Sequence, residues 1–173
     1  ACGTMPAGCG TRRKRGPVRL ILGPWTHGNN HQSFSGDVDF GPHAILAGNV
    51  APDLTTLRKR WFDRHLKGEA NGVDDEPRVR IFVMGGGSGR RNAEGRMDHG
   101  GRWRAEPDWP LPGARETPYY LHADGGFSSE KPKVAKADRR FTYDPARPTP
   151  SIGGTITSGQ PIMVGGAFDQ RED

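Results

Sequence analysis

The chain has 173 residues, of which 32% are hydrophobic, with 26 glycines, 15 prolines and a net charge of +5; its mean hydropathy is -0.76 and its isoelectric point about 9.6. Little apolar material is available for a large core, which fits loop-rich β structure or a piece whose core is completed elsewhere. No apolar run is long enough to span a bilayer, the interspersed charges argue against a nucleic-acid surface despite the basic balance, and Cys2 and Cys9 alone make neither a disulfide framework nor a zinc site.

Residues 1–16 show no apolar periodicity and read as disordered or artefactual sequence. The cluster Arg12-Arg13-Lys14-Arg15, followed by Arg19, could grip phosphate or act as a targeting patch. Without interleaved aromatics it reads instead as a solvated segment before a strand. Pro17 to Leu22 predicts that strand, because a short apolar run stopped by Gly23-Pro24 is a buried strand signal. His27 to Asn49 predicts a long loop rich in Gly, His, Asn and Asp, of a length that is usually functional or mobile. Asp53 to Gly68 predicts a helix: Leu54, Leu57, Trp61, Phe62 and Leu66 share one face, Asp53 can cap the start and Gly68 the end. His65 on this helix reads as structural.

Residues 69–76 form a polar Gly/Asp linker, the expected boundary between 17–68 and 77–173. Beyond it Arg78 to Met84 and Thr117 to His122 predict strands, with shorter candidates at Arg140 to Tyr143 and Ile162-Met163-Val164. Gly/Pro turns separate them, the pattern of a β-sandwich or jelly roll. That fold reads as incomplete, since Phe168 to Asp173 lacks a closing strand pattern.

His27 stands just past the end of the first strand, where α/β enzymes keep their chemistry. As the base of a serine hydrolase it would take a proton from a weak hydroxyl nucleophile, and a carboxylate would fix its tautomer. In the α/β-hydrolase plan the order is Ser, acid, His, so the histidine comes last, on a loop after a late strand with a helix behind it. The strand, the His27 loop and the Asp53–Gly68 helix match that order. No Asp or Glu precedes Asp37, and no G-x-S-x-G occurs; Gly86-Gly87-Ser88-Gly89-Arg90 fails at its last glycine. The plain alternative is a histidine hydrogen-bonded within its own loop.

Three further constellations are weaker. His27, His31 and His43 share one loop with Asp37 and Asp39, but Gly28-Asn29-Asn30 breaks the helical spacing and the glutamate of H-E-x-x-H is absent, so no metal is expected. Gly85 to Arg91 could cradle an anion but lacks the Lys-Ser/Thr of a P-loop and reads as a hairpin or crossover loop. Trp103, Trp109 and Tyr119-Tyr120 could stack carbohydrate, though such aromatics are more often core or a clamp between packed domains.

Leu22-Gly23-Pro24-Trp25-Thr26-His27-Gly28 resembles the histidine motif of the CocE/NonD hydrolases, a group of esterases and X-Pro dipeptidyl-peptidases. Trp61-Phe62-Asp63-Arg64-His65-Leu66-Lys67-Gly68 resembles the family's closing hydrolase helix. Pro77 to Met84 with Gly85-Gly86 looks like entry into its jelly-roll domain; Trp103, Trp109-Pro110-Leu111, Tyr119 to His122 and Tyr143-Asp144-Pro145 resemble that domain's early strands, and Phe168 to Arg171 a later segment of it. The resemblance covers Val18 to Arg171. It implies the C-terminal part of an α/β-hydrolase (strand, catalytic-His loop, last helix) followed by an incomplete all-β jelly roll. It also implies a serine hydrolase acting on an acyl ester, amide or X-Pro peptide, with no cofactor. Of the triad only His27 carries over, so the isolated chain is expected to be inactive, marginally folded, and exposed at Trp25, Trp61 and Phe62. The expected location is cytoplasmic. The alternative function is a non-catalytic β-sandwich module that binds a ligand or carbohydrate.

Overall fold

A parallel pair of strands joined through a helix organises the molecule. The computed structural model describes residues 16–134, 136, 138, 140–154, 156 and 163–171. Strand β1 (Leu20–Leu22) pairs in parallel with β4 (Val79–Met84), Leu20 opposite Val79 and Leu22 opposite Ile81. Parallel neighbours need a crossover, and here it carries helix α1 (Leu54–Lys67). Strand β6 (Gly101–Glu106) completes the sheet against the other edge of β4, antiparallel from Val79 opposite Glu106 to Met84 opposite Gly101. The change of texture after residue 76 is therefore not an edge of this sheet, which takes strands from both sides of it.

The helix has the predicted ends. Asp53 takes extended geometry and its carboxylate accepts from the Thr56 amide and hydroxyl, both at 2.7 Å. Those bonds favour the charged form and hold the carboxyl below its ordinary range. Gly68 closes the helix in left-handed geometry, with φ 77°. Along the helix the buried polar residue is Asp63, gripped one turn away on each side by Lys59 at 2.5 Å and Lys67 at 2.6 Å; these bonds, Lys59 first, hold its carboxyl low. The apolar face is only half used. Trp61 packs edge-on against His65, with ring centroids 4.2 Å apart, which gives His65 its structural contact, and the Arg19 guanidinium lies 5.5 Å from the Trp61 ring. Phe62 is 54% and Leu66 78% exposed. Of the three aromatics expected to be laid bare, Phe62 is; Trp25 and Trp61 are half-buried, because each finds an internal partner described here.

Glu76, read as linker, is the ionic hub of the crossover unit. It pairs with Arg19 beside β1 at 2.6 Å, with Arg60 of α1 at 2.8 Å, and lies 4.0 Å from Arg80 of β4. Arg19 also donates to the carbonyls of Val73 and Glu76.

The stretch from His27 to Asn49, predicted as loop, contains a small sheet and a 3-10 turn. β2 (Phe34–Ser35) and β3 (Val38–Asp39) pair antiparallel, and β5 (Met97–Asp98) joins β3 in parallel. The chain then turns through Pro42–Ala44. Only two residues per strand carry the pairing, too short a run for alternation to show in the sequence. The core lies between this layer and the larger sheet: Phe40, Ala44 and Phe82 are buried, with Val38 and Trp103 against them. Phe40 and Phe82 meet edge-on at 6.2 Å, and Phe82 and Trp103 at 5.5 Å, geometries aromatic rings prefer.

In the later half, β7 (Tyr120–Leu121) lies inside the predicted strand Thr117 to His122 and forms a hairpin with β8 (Phe127–Ser128), which lies outside any predicted strand. Arg140 to Tyr143 forms no strand, and Phe141 is 91% exposed. Ile162, part of another candidate strand, lies outside the described residues, as do residues 1–15. Among the described residues the sheets are three small ones that do not close into a sandwich, and no helix is long and apolar enough to cross a membrane.

Candidate active-site histidine

The strand β1 ends at Leu22, and the chain reverses within a few residues. Thr26 to Asn29 is a tight turn: the Asn29 amide donates to the Thr26 carbonyl at 3.1 Å, and the Asn29 side chain donates to the Thr26 hydroxyl at 2.8 Å. Gly28, the third residue of the turn, has φ 80°, a left-handed value that glycine adopts at no steric cost. His27 therefore stands at the tip of the turn with its ring exposed. Among the described residues, no carboxylate hydrogen-bonds to it.

The turn is anchored on both flanks. Before it, Trp25 donates from Nε1 to the Ala44 carbonyl at 2.8 Å. After it, the Leu46 amide donates to the Asn30 carbonyl at 2.9 Å. Both anchors lie in the 42–46 turn, which Trp103 of β6 grips in turn by donating from Nε1 to the His43 carbonyl at 2.8 Å. The two indoles meet at 5.6 Å.

The structure does not gather the remaining loop residues around His27 as a metal site would require. His31 and His43 are exposed. Asp39 accepts from the Gly41 amide at 2.9 Å and from Asn92 at 3.0 Å, and Asp37 accepts from the Asp169 amide at 3.1 Å. Among the described residues no group of three His, Cys, Asp or Glu is placed to hold a metal ion. The centre of the Gly85 to Arg91 loop is not free to cradle an anion: Gly87 donates to the His99 carbonyl, and Gly89 and Ser88 to the carbonyl and carboxylate of Asp98, all at 2.9 Å. Nor do the aromatics form a platform. Trp103 is taken up by the core, Tyr119 lies against Phe127 at 5.3 Å, and Trp109 is exposed by itself.

A contact invisible to sequence reasoning is the pair His122 Nε2 and Ser128 Oγ, 3.0 Å apart across the β7–β8 hairpin. It has the reach of a base and its nucleophile. Ser128 Oγ also accepts from the Glu130 amide at 3.2 Å, and no carboxylate orients His122 among the described residues, so the pair ties the hairpin rather than activating a hydroxyl.

The C-terminal segment closes on the His27 loop. The Asp37 amide donates to the Ala167 carbonyl at 2.7 Å, and Gly36 and Ala167 bridge in parallel; a side chain at Gly36 would run into the Ala167 backbone. Gly165 passes so near the His27 turn that a Cβ on it would lie 3.4 Å from Thr26 Cγ2. Asp169 locks the segment, pairing with Arg171 and, at 3.3 Å, with Arg91. Bonds from the Arg171 guanidinium and amide, with Arg91 beyond them, push its carboxyl down from the ordinary 3.8 to about 2. A depressed carboxylate stabilises the fold above its unfolded value and loses that contribution as pH falls through the folded one. The Asp169–Arg171 pair is thus expected to hold down to about pH 4 and to break between there and about pH 2. Carboxyl carbon NMR of Asp169 checks it: a midpoint near 2 is expected, and an ordinary one near 3.8 contradicts the pairing.

An apolar groove of about 430 Å³ lies away from His27, between the start of β1 and α1, lined by Val18, Ile21, Leu57, Trp61 and Phe62 among others. Beside it β1 has no strand partner on its outer edge among the described residues.

Comparison with known proteins adds a lineage. Residues 71–160 match the family model of the X-Pro dipeptidyl-peptidase C-terminal non-catalytic domain. Cocaine esterase from Rhodococcus sp. (strain MB1 Bresler) is 38% identical over 147 residues, which cover 80% of this chain and 22% of that protein. Two mycobacterial proteins that carry the provisional name serine esterase, from Mycobacterium bovis and Mycobacterium tuberculosis, are each 28% identical over 127 residues, 72% of this chain and 16% of their own length. The chain thus spans about a fifth of the length of the curated relatives it matches.

Proposed function

Because the chain belongs to the CocE/NonD hydrolases, whose X-Pro dipeptidyl-peptidase C-terminal domain it carries at residues 71–160, we propose that it supplies the histidine base and one wall of the cleft to a serine hydrolase. The substrate class is a small-molecule or peptide acyl ester or amide, X-Pro peptides included. The observation that carries this reading is His27, held exposed on a tight turn directly after a parallel strand, with the crossover helix following. That is where the order Ser, acid, His leaves its histidine.

In this mechanism His27 takes the proton of a serine hydroxyl as it attacks the acyl carbonyl, then returns it to the leaving alcohol or amine. In the second half it takes a proton from the water that attacks the acyl carbonyl and gives it to the departing serine oxygen, so the acyl group leaves as the free acid and serine and base are restored. The serine, the carboxylate that orients His27 and the oxyanion donors come from hydrolase sequence other than these 173 residues, so the chain alone performs no turnover. In this reading the rest of the sheet packs on the apolar groove and the open edge of β1, and the C-terminal segment, with Gly165 beside Thr26, forms part of the cleft wall; the edge unpaired among the described residues and that proximity support it.

A hybrid tests this: the chain replaces the matching stretch of the Rhodococcus cocaine esterase, which retains the rest of its own sequence. The hybrid is expected to hydrolyse a benzoyl or nitrophenyl ester with saturation kinetics. A folded hybrid without turnover contradicts the proposal.

A further inference from the structure

We propose that Trp103, on a domain described as non-catalytic, is a positioning residue for the His27 turn; the catalytic half of this inference rests on the reading of His27 as the base. His27 is bracketed in the chain by two tethers, Trp25 on the Ala44 carbonyl and Asn30 under the Leu46 amide. Both end in the same short turn, 42–46. That turn is exposed at Pro42 and His43 and buried at Ala44, in the core with Phe82; its hydrogen bond to the larger sheet is the Trp103 indole on the His43 carbonyl. Trp103 is in turn seated by Phe82 at 5.5 Å and Trp25 at 5.6 Å. A shift of β6 therefore moves the 42–46 turn, and with it both flanks of His27. The exposed His27 ring has no hydrogen bond of its own among the described residues, so its position is inherited from these tethers. A general base displaced by about an ångström loses much of its effect.

Trp103→Phe separates positioning from bulk stability, since it keeps a ring against Phe82 and Trp25 and removes only the Nε1–H donor. In the 173-residue chain, amide hydrogen exchange is read at Asn29 and Leu46 in the tethered loop and at Leu57 in α1, whose amide donates to the Asp53 carbonyl. Exchange at Asn29 and Leu46 is expected to quicken about fivefold, the effect of losing one neutral hydrogen bond, with Leu57 unchanged. Trp25→Phe, which removes the other indole donor, is expected to give the same pattern. Equal acceleration at all three amides, or none at Asn29 and Leu46, overturns the clamp. In the hybrid enzyme Trp103→Phe is expected to lower kcat about fivefold or more with KM held. If loop exchange quickens and kcat does not fall although His27→Ala abolishes turnover, the positioning role is wrong and the base stands. If His27→Ala also leaves turnover intact, the error lies in the assignment of the base.

Discussion

In the hybrid with the Rhodococcus esterase, His27→Ala is expected to lower turnover by on the order of 10⁴- to 10⁶-fold, because a serine hydroxyl without its base is barely nucleophilic and triad members act as a unit. The fold should survive, since the exposed ring makes no hydrogen bond among the described residues and the turn around it is held by backbone and by Asn29, Trp25 and Leu46. His31→Ala and His43→Ala should each change turnover by less than about tenfold. His43 is the sharper control: the structure uses its carbonyl, as the acceptor for Trp103, and alanine keeps that carbonyl. The measurement is kcat/KM for the three variants beside circular dichroism. If His31 or His43 proves as essential as His27, the base has been misassigned and the metal reading of the loop returns.

The largest expected effect on stability is at Phe82. Its ring is buried between Phe40 and Trp103 and touches Gly101 across the β4–β6 ladder. Truncating a buried phenylalanine to alanine costs about 3–5 kcal/mol, and the buried apolar cluster it belongs to is small. Natural domains have only about 5–15 kcal/mol to lose. In a chain expected to be only marginally folded, Phe82→Ala is therefore expected to abolish whatever unfolding transition it shows and the near-ultraviolet signal of the packed indoles. Phe141→Ala, at a ring 91% exposed, should shift stability by less than about 0.5 kcal/mol. An unchanged denaturation midpoint for Phe82→Ala would mean that the core lies elsewhere.

The parts of this molecule that could be read from the sequence are the local ones. The α1 helix declares itself because its caps and its apolar period all lie within one short stretch, from Asp53 to Gly68. The position of His27 after a strand is legible for the same reason, since Gly23-Pro24 and Gly28 punctuate the chain on either side. What escaped is non-local. β6 reads Gly-Arg-Trp-Arg-Ala-Glu, with Trp103 as its single large apolar residue, so its own pattern shows no strand and only the resemblance at Trp103 points to one; it forms by pairing with β4 over six residues, and Arg102 and Arg104 face solvent. Glu76 looks like linker until Arg19, Arg60 and Arg80 converge on it from three elements. The Trp25–Trp103 contact joins residues far apart in the chain, so the aromatic signal at Trp103 suggested a clamp or a core without saying what it holds. Conversely, the alternation at Arg140 to Tyr143 looked like a strand but has no described neighbour to pair with.

One labelling experiment reaches the central claim, that this chain holds the base of a serine hydrolase and not its nucleophile. The 173-residue chain and the hybrid are treated side by side with a fluorophosphonate probe. The hybrid is expected to be labelled on the serine supplied by the esterase sequence, and the isolated chain on none, Ser88 and Ser128 included. Labelling of the isolated chain that disappears on mutating a single serine, with Ser128 beside His122 the first to examine, would contradict the account.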